Sequence, residues 1–350
     1  MENGHFTHQE ILSQPQAWSA ALTVLNESRR DLLALQPARR YSQIIYTGCG
    51  STYYLSLAAA ALTQELTGFP ARAFPASELW LSPRSSYADG RTLLVAVSRS
   101  GETTETLRAC DAFLASERGD LLTLSCYDDM PLAKMGTVNL VLPSGQEQSV
   151  AQTRAFSTLY LATTVIATMW ARRLDLSDSF ARLPEAGTRL LKNYAPLAAG
   201  LGCDTTIDRF YWLGSGARHG LACELSLKMK EMSLSHSEPF HFMEFRHGPQ
   251  SMVTPSALTI GLRSTVNGQK EAAVLEDVRA LGGRVLDIAE AGPTTSPRGT
   301  HWEVRFGSGL DEAIRNVLYL PIGQMIAFER SISKNLNPDR PNNLDSVVKL

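Results

Sequence analysis

The sequence predicts an α/β protein made of two similar halves, each a parallel sheet covered by helices. Strand-like apolar runs alternate with helical patterns, which is how parallel sheets buried on both faces are written. A strand, glycine turn and helix at Ile44–Tyr46 and Gly48-Cys49-Gly50 recurs at Phe210–Leu213 and Gly214-Ser215-Gly216. The length agrees, because 350 residues at roughly 150 per domain make two domains.

In chain order, residues 10–35 read as one or two helices broken near Pro15, with Ile11, Trp18, Leu22 and Leu25 at helical spacing. After the first glycine turn an alanine- and leucine-rich helix runs to Thr67, where Gly68 stops it. The unit repeats at once: residues 92–97 are strand-like, Ser98-Arg99-Ser100-Gly101-Glu102-Thr103 is the turn, and 104–116 has helical periodicity. Strands follow at 121–124 and 138–142, then a helix at 153–174. In the second half a helix is expected at 221–232 and a strand at 258–262, which leads into Arg263-Ser264-Thr265-Val266-Asn267-Gly268. The boundary between the halves is expected near residues 190–205, where 193–202 contain Pro196, Gly200 and Gly202 between periodic segments. The expected divisions are a helical segment 1–40, a first domain 41–192, a second domain 205–335 and a tail 336–350.

Composition excludes several classes of function. Lys plus Arg total 33 against 35 Asp plus Glu, so no basic footprint points to nucleic acid or to an anionic membrane. The most apolar stretch, 155–170, is shorter than the roughly 20 residues that span a bilayer and carries four threonines and a serine. The opening MENGHFTHQE lacks the basic flank and apolar block of an export signal. Five scattered cysteines, at 49, 110, 126, 203 and 223, form no CxxC pair and suit a reducing cytoplasm.

Ligands of an open parallel sheet bind beyond the carboxyl ends of its strands, where helix amides favour anions. Both glycine turns of the first half lie there. Gly50 permits close backbone approach, and Ser51, Thr52, Ser98, Ser100 and Thr103 concentrate hydroxyl donors. One such turn would read as a helix cap; two in neighbouring units describe a phosphate cradle. GCGSTYY does not complete GxGxxG, no acidic residue stands about 20 positions on, and GxxxxGK[ST] is absent, so a monophosphate fits better than a nucleotide. In the second half Glu224, Lys228 and Glu231 share one helix face by their offsets of four and seven, and could front a cleft between the halves. The irregular segment from His236 to Pro249 brings three histidines and two carboxylates. It contains neither HExxH nor a PCxxC partner, so no metal is expected. A histidine beside a carboxylate suits proton shuttling to sugar oxygens.

Taken together, the motifs resemble those of the sugar isomerase (SIS) domain family. The likeness is to its double-domain members, among them the isomerase half of glucosamine-6-phosphate synthase and stand-alone aminosugar-phosphate deaminases and isomerases. EILSQP at 10–15 is similar to the family's EIxxQP, GCGST to its first phosphate turn and SRSGET to its SxSGET signature. EQSVAQTRAF at 147–156 resembles ExxVASTKAF, and LSLKMKEMSLSHSEPFHFMEFRHGP resembles the catalytic LKxKEISxxHAExxxxxExKHGP stretch. The resemblance implies two tandem SIS-type domains of three-layer αβα, flavodoxin-like form. It implies phosphate binding by Gly50, Ser51, Thr52, Ser98, Arg99, Ser100 and Thr103, with Val150, Ala151 and Gln152 near the sugar hydroxyls. Glu231 matches the base that moves a proton between C1 and C2, His247 the ring-opening acid/base, and Glu224 and Lys228 the supporting pair. In relatives that histidine comes from the neighbouring subunit, which implies a homodimer.

Three departures shape the expected activity. Arg99 stands where the synthases usually have glutamine, and Ser346 where the family has an imine-forming lysine, Lys349 being displaced by three residues. Only about 40 residues precede the first strand and Glu2 follows Met1, so no glutaminase is expected and glutamine is not the nitrogen donor. The expectation is a cytoplasmic, cofactor-free enzyme converting an aminosugar phosphate, glucosamine-6-phosphate first, to a ketose phosphate and ammonia. The alternatives are a fructosamine-6-phosphate deglycase, a tagatose- or galactosamine-6-phosphate ketose–aldose isomerase, or a non-catalytic sugar-phosphate sensor.

Overall fold

A computed structural model describes residues 3–37, 40–292, 296–345 and 347. Three helices come first: α1 (His5–Leu12), α2 (Gln14–Glu27) and α3 (Arg29–Ala34). The first sheet region follows as β1 (Gln43–Gly48), α4 (Ser51–Thr67), β2 (Ala71–Pro75), α5 (Ala76–Leu81), α6 (Pro83–Ser86), β3 (Thr92–Val97), α7 (Thr104–Ala115), β4 (Gly119–Ser125) and β5 (Val138–Val141). Then come α8 (Arg154–Trp170), α9 (Ser177–Phe180) and α10 (Leu183–Cys203). The second sheet region runs β6 (Arg209–Leu213), α11 (Ala217–Ser233), β7 (His236–Phe240), α12 (Phe242–Phe245), β8 (Ala257–Leu262), α13 (Gly268–Ala280), β9 (Arg284–Ala289) and β10 (Trp302–Arg305). The last helices are α14 (Glu312–Arg315) and α15 (Tyr319–Ser333).

The chain divides into two compact units. The first-sheet unit comprises Ser13–Gln148, Gln152–Ala181 and Leu344–Leu350; the second-sheet unit comprises Met1–Leu12, Ser149–Ala151 and Arg182–Asn343. Each contains one five-stranded sheet in which all pairings are parallel, in the orders β2-β1-β3-β4-β5 and β10-β9-β8-β6-β7. Numbered within each half, both orders are 2-1-3-4-5, the doubly wound arrangement whose switch point lies between the first and third strands. The α/β fold with two helix-flanked parallel sheets is as the sequence predicts.

The central strands are apolar throughout because both faces are covered: β1, β3 and β8 are buried at every residue. Ile45, Leu94 and Ala96 pack with Phe113 of α7 in the first-sheet unit. Tyr211 and Leu213 pack with Phe242, Phe245 and Val274 in the second.

Two local expectations are corrected. The stretch chosen for the boundary near 190–205 is not a break between periodic segments; residues 193–202 lie within the 21-residue helix α10, with Pro196 inside it. Gly202 is there for close packing, since a Cβ would meet Glu329 Cβ at 2.5 Å, Ile326 O at 2.8 Å and Arg330 N at 2.9 Å of α15. The start of the histidine segment is not irregular either, because residues 236–240 form β7, paired in parallel to β6. As an edge strand, β7 tolerates Pro239, whose missing donor would break a central ladder.

Candidate active site

In the first-sheet unit the two hydroxyl turns follow β1 and β3, which are neighbouring strands, Thr47 lying opposite Ala96. The first turn is built on Gly50, whose φ of 55° with ψ of −122° favours glycine, and it delivers Ser51 and Thr52 as the buried opening residues of α4. Thr52 Oγ1 accepts from Cys49 N at 2.9 Å and donates to Cys49 O at 3.0 Å, so this hydroxyl ties the turn together. A side chain on Gly48 would run into Thr52, which keeps that position small.

In the second turn Ser98 Oγ accepts from Gly101 N at 3.1 Å and lies 3.2 Å from Thr103 Oγ1. Ser100 Oγ accepts from Glu102 N at 3.3 Å and lies 3.5 Å from Thr103 Oγ1. The three hydroxyls therefore form one cluster ahead of α7, whose first residue is Thr104. Arg99 is buried and its guanidinium sits 3.5 Å from the fully buried Glu147 carboxylate. Glu147 in turn accepts from Thr153 N at 2.8 Å and Thr153 Oγ1 at 2.9 Å. Arg99 thus faces a buried carboxylate beside the hydroxyl cluster, a charge that glutamine could not balance. In the adjoining segment Gln152 has its Oε1 buried with no hydrogen-bond partner among the described residues.

The tripeptide Ser149-Val150-Ala151 belongs to the second-sheet unit and is clamped there from both ends of the chain. Glu10 of α1, itself buried, accepts from Ser149 N at 3.2 Å and from the Ser149 hydroxyl. Asp339 O accepts from Val150 N at 3.0 Å. The Asp339 carboxylate also caps α1, accepting from Thr7 N at 2.8 Å, Thr7 Oγ1 at 2.7 Å and Phe6 N at 3.2 Å. Sequence reasoning did not find this clamp, because its members lie up to 333 positions apart.

On α11 the acidic and basic groups meet as their spacing predicts. Lys228 Nζ lies 3.3 Å from Glu224 Oε1 and is hydrogen-bonded to Glu231 Oε2. Glu224 and Lys228 are completely buried, whereas the Glu231 side chain keeps 19% of its exposure. Burial opposes the Lys228 charge, but Glu224 and Glu231 outweigh it and hold its pKa above the ordinary lysine value. The triplet is a buried cation between an inner carboxylate and a solvent-reaching one. The hydrogen bond to Lys228 fixes the orientation of the Glu231 carboxylate.

His247 is exposed on the turn after α12, its backbone N donating to Glu244 O at 2.9 Å. His219 and His241 stack at 3.7 Å, and burial, then the neighbouring imidazole, depresses His219 to about 4. Among the described residues no group of three or more His, Cys, Asp or Glu is placed to hold a metal ion. Ser346 and Lys349, the tail positions compared with the family lysine, lie outside the described residues.

Both hydroxyl turns fall within residues 39–169, which match the SIS domain family. Over 346 residues the chain is 27% identical to glutamine–fructose-6-phosphate aminotransferase (isomerizing) of Methanothermobacter thermautotrophicus, covering 98% of this chain and 57% of that protein. It is also 27% identical over 373 residues to the Arabidopsis thaliana protein of that name, covering 98% and 54%. The chain thus spans somewhat over half the length of these relatives. Among solved structures, tagatose-6-phosphate ketose/aldose isomerase from Escherichia coli superposes with a TM-score of 0.86 at 23% identity, covering 97% of this chain and 96% of that one. Glucosamine-6-phosphate deaminase from Thermotoga maritima superposes with a TM-score of 0.77 at 24% identity, covering 98% and 99%. These two likenesses concern the fold. No helix among the described residues is long and apolar enough to cross a membrane.

Proposed function

We propose that the chain is a phosphosugar enzyme that converts an aminosugar phosphate, glucosamine-6-phosphate first, to the ketose phosphate and ammonia. The observation that carries this reading is the Glu224–Lys228–Glu231 triplet, which leaves one carboxylate with access to solvent beside a buried ion pair. The names of the similar proteins, a fructose-6-phosphate aminotransferase, a glucosamine-6-phosphate deaminase and a tagatose-6-phosphate isomerase, supply the substrate class.

The phosphate is assigned to the turns around Gly50, Ser51, Thr52 and Ser98, Ser100 and Thr103, with Arg99 balancing charge beside them. Val150, Ala151 and Gln152 are assigned to the sugar hydroxyls. His247 opens the pyranose by moving a proton between the ring oxygen and the C1 hydroxyl. Glu231 then removes the C2 proton of the open aldehyde, and the electron pair passes through C1–C2 to give an enolamine protonated on O1. Return of the proton to C1 leaves an imine at C2; water adds there, and ammonia departs as the ketone forms. The balance is aminosugar phosphate plus water to ketose phosphate plus ammonia. Glu231 borrows one proton and returns it, so the chain ends the cycle unchanged.

On this reading the second-sheet unit is a second SIS domain and the working form is a cytoplasmic homodimer. The repeated strand order supports the first assignment, and the five free cysteines support a reducing compartment. The test is a panel of 6-phosphorylated amino sugars and fructosamines incubated with purified protein, with ammonia and ketose phosphate both measured. Ammonia released in step with ketose from glucosamine-6-phosphate is the expected result. Ketose without ammonia would reassign the chain to ketose–aldose isomerisation, a free amino acid from a fructosamine to deglycation, and binding without turnover to a sensor.

A further inference from the structure

The second-sheet unit has a switch point of its own, between β6 and β8. Gly216 there has φ 58° and ψ −132°, close to the 55° and −122° of Gly50, so the backbone turn is repeated. The next turn repeats too: Ser264 Oγ accepts from Asn267 N at 2.9 Å, as Ser98 Oγ does from Gly101 N. What differs is the chemistry hung on this frame. Counting from the two glycines, Thr52 is matched by Arg218, and the amides that would cradle an anion are already taken. Ser264 N donates to Glu271 Oε2 at 2.6 Å, and Thr265 N donates to Glu312 Oε2 at 2.8 Å.

Glu312 is held the way a small oxyanion is held. One oxygen pairs with Arg218, and the other takes Arg315 Nη2 at 3.1 Å together with the Thr265 amide. Arg315 also donates to the Thr265 hydroxyl. The Arg218 and Arg315 side chains are only 8% and 6% exposed, while Glu312, at 22%, forms the outer wall. Arg218 Nε is buried there without a hydrogen-bond partner among the described residues. Arg218 faces Glu312 and, at 3.7 Å, Glu271, while Arg315 faces Glu312 and, at 3.9 Å, Glu290. Removing Glu312 takes from both buried arginines, and from the Thr265 amide, the oxyanion nearest to them, a setting that phosphate monoanion satisfies.

We infer that the switch point of the second-sheet unit is a second oxyanion site whose resident ligand is the Glu312 carboxylate, and that inorganic phosphate or a phosphomonoester takes its place when that carboxylate is withdrawn. The inference goes beyond the proposed activity and does not rest on it, because it compares variants with the wild type at a place the proposed chemistry does not use. The test is equilibrium dialysis of the full chain against inorganic phosphate. Glu312→Ala binds one more equivalent than the wild type, and Glu312→Ala combined with Arg315→Met loses it. A folded Glu312→Ala protein with wild-type stoichiometry overturns the inference, as does an extra equivalent that survives loss of Arg315. If Glu312→Ala does not fold, Glu312→Gln is assayed in the same way. Should both fail to fold, phosphate in the refolding buffer must restore the wild-type circular dichroism spectrum, and failure to do so overturns the inference.

Discussion

The two sheets share one strand order and one glycine turn, yet their switch points are finished with opposite chemistry. After β3 the chain presents the clustered hydroxyls of Ser98, Ser100 and Thr103. After β8 the corresponding amides are consumed by Glu271 and Glu312, backed by buried arginines. The fold therefore sets where a ligand could sit, and a handful of side chains decide whether the place is offered or kept. The second-sheet unit instead carries the Glu224–Lys228–Glu231 ion triplet farther along its first helix.

If the division into a binding unit and a chemical unit is right, the largest effect belongs to Glu231→Gln. Turnover falls by about 10²- to 10⁴-fold, the usual worth of a proton-transfer group, while calorimetric affinity for the phosphosugar stays within a few-fold. Equal loss of both would break the comparison. Lys228→Met comes next and shows in stability, because removing the cation strands two carboxylates of which Glu224 is fully buried. A loss of about 3–5 kcal/mol in urea unfolding is expected for breaking such a pair. Unchanged stability would overturn the assignment of Lys228 as the cation that balances this pair.

Ser98→Ala sharpens the other side. Losing a hydroxyl that binds a charged group costs about 1.5–3 kcal/mol, so phosphosugar affinity falls by about 10- to 100-fold while the rate of bound substrate changes little. Mixing Glu231→Gln with His247→Ala chains asks whether the histidine crosses between subunits. Random reassociation of two inactive dimers would restore about a quarter of the sites, and no recovery would leave His247 serving its own chain. The smallest effect concerns His219. Its folded pKa, about 4, lies below the ordinary 6.5, so the unfolded chain binds more protons between those values. Stability at neutral pH is therefore lost progressively as pH falls from about 6.5 to about 4, and His219→Gln flattens that slope in thermal melts taken from pH 7 to 5.

The central elements were legible because burial on both faces writes them as unbroken apolar runs. Residues 92–97 were bounded correctly as β3, and 258–262 came within one residue of β8. Edge strands carry no such signature: β2 and β7 are five residues each, only partly buried, and contain proline. Glycine misled where its reason was contact rather than turning, as at Gly202 against α15. Within the candidate site, the α11 triplet was readable because helical periodicity links positions four and seven apart. Glu10 and Asp339 were not, since what joins them to Ser149 and Val150 is tertiary, and no local spacing encodes a partner 139 residues away.

That clamp has a consequence in time. The segment at 149–151 is fastened by α1 on one side and by Asp339 on the other, so the fastening cannot close before the chain has been made as far as residue 339. All five strands of the first sheet, by contrast, have been made once the chain reaches residue 141. The loop assigned to the sugar acquires its final shape only when the tail arrives, which makes contacts of very long sequence separation the last to form.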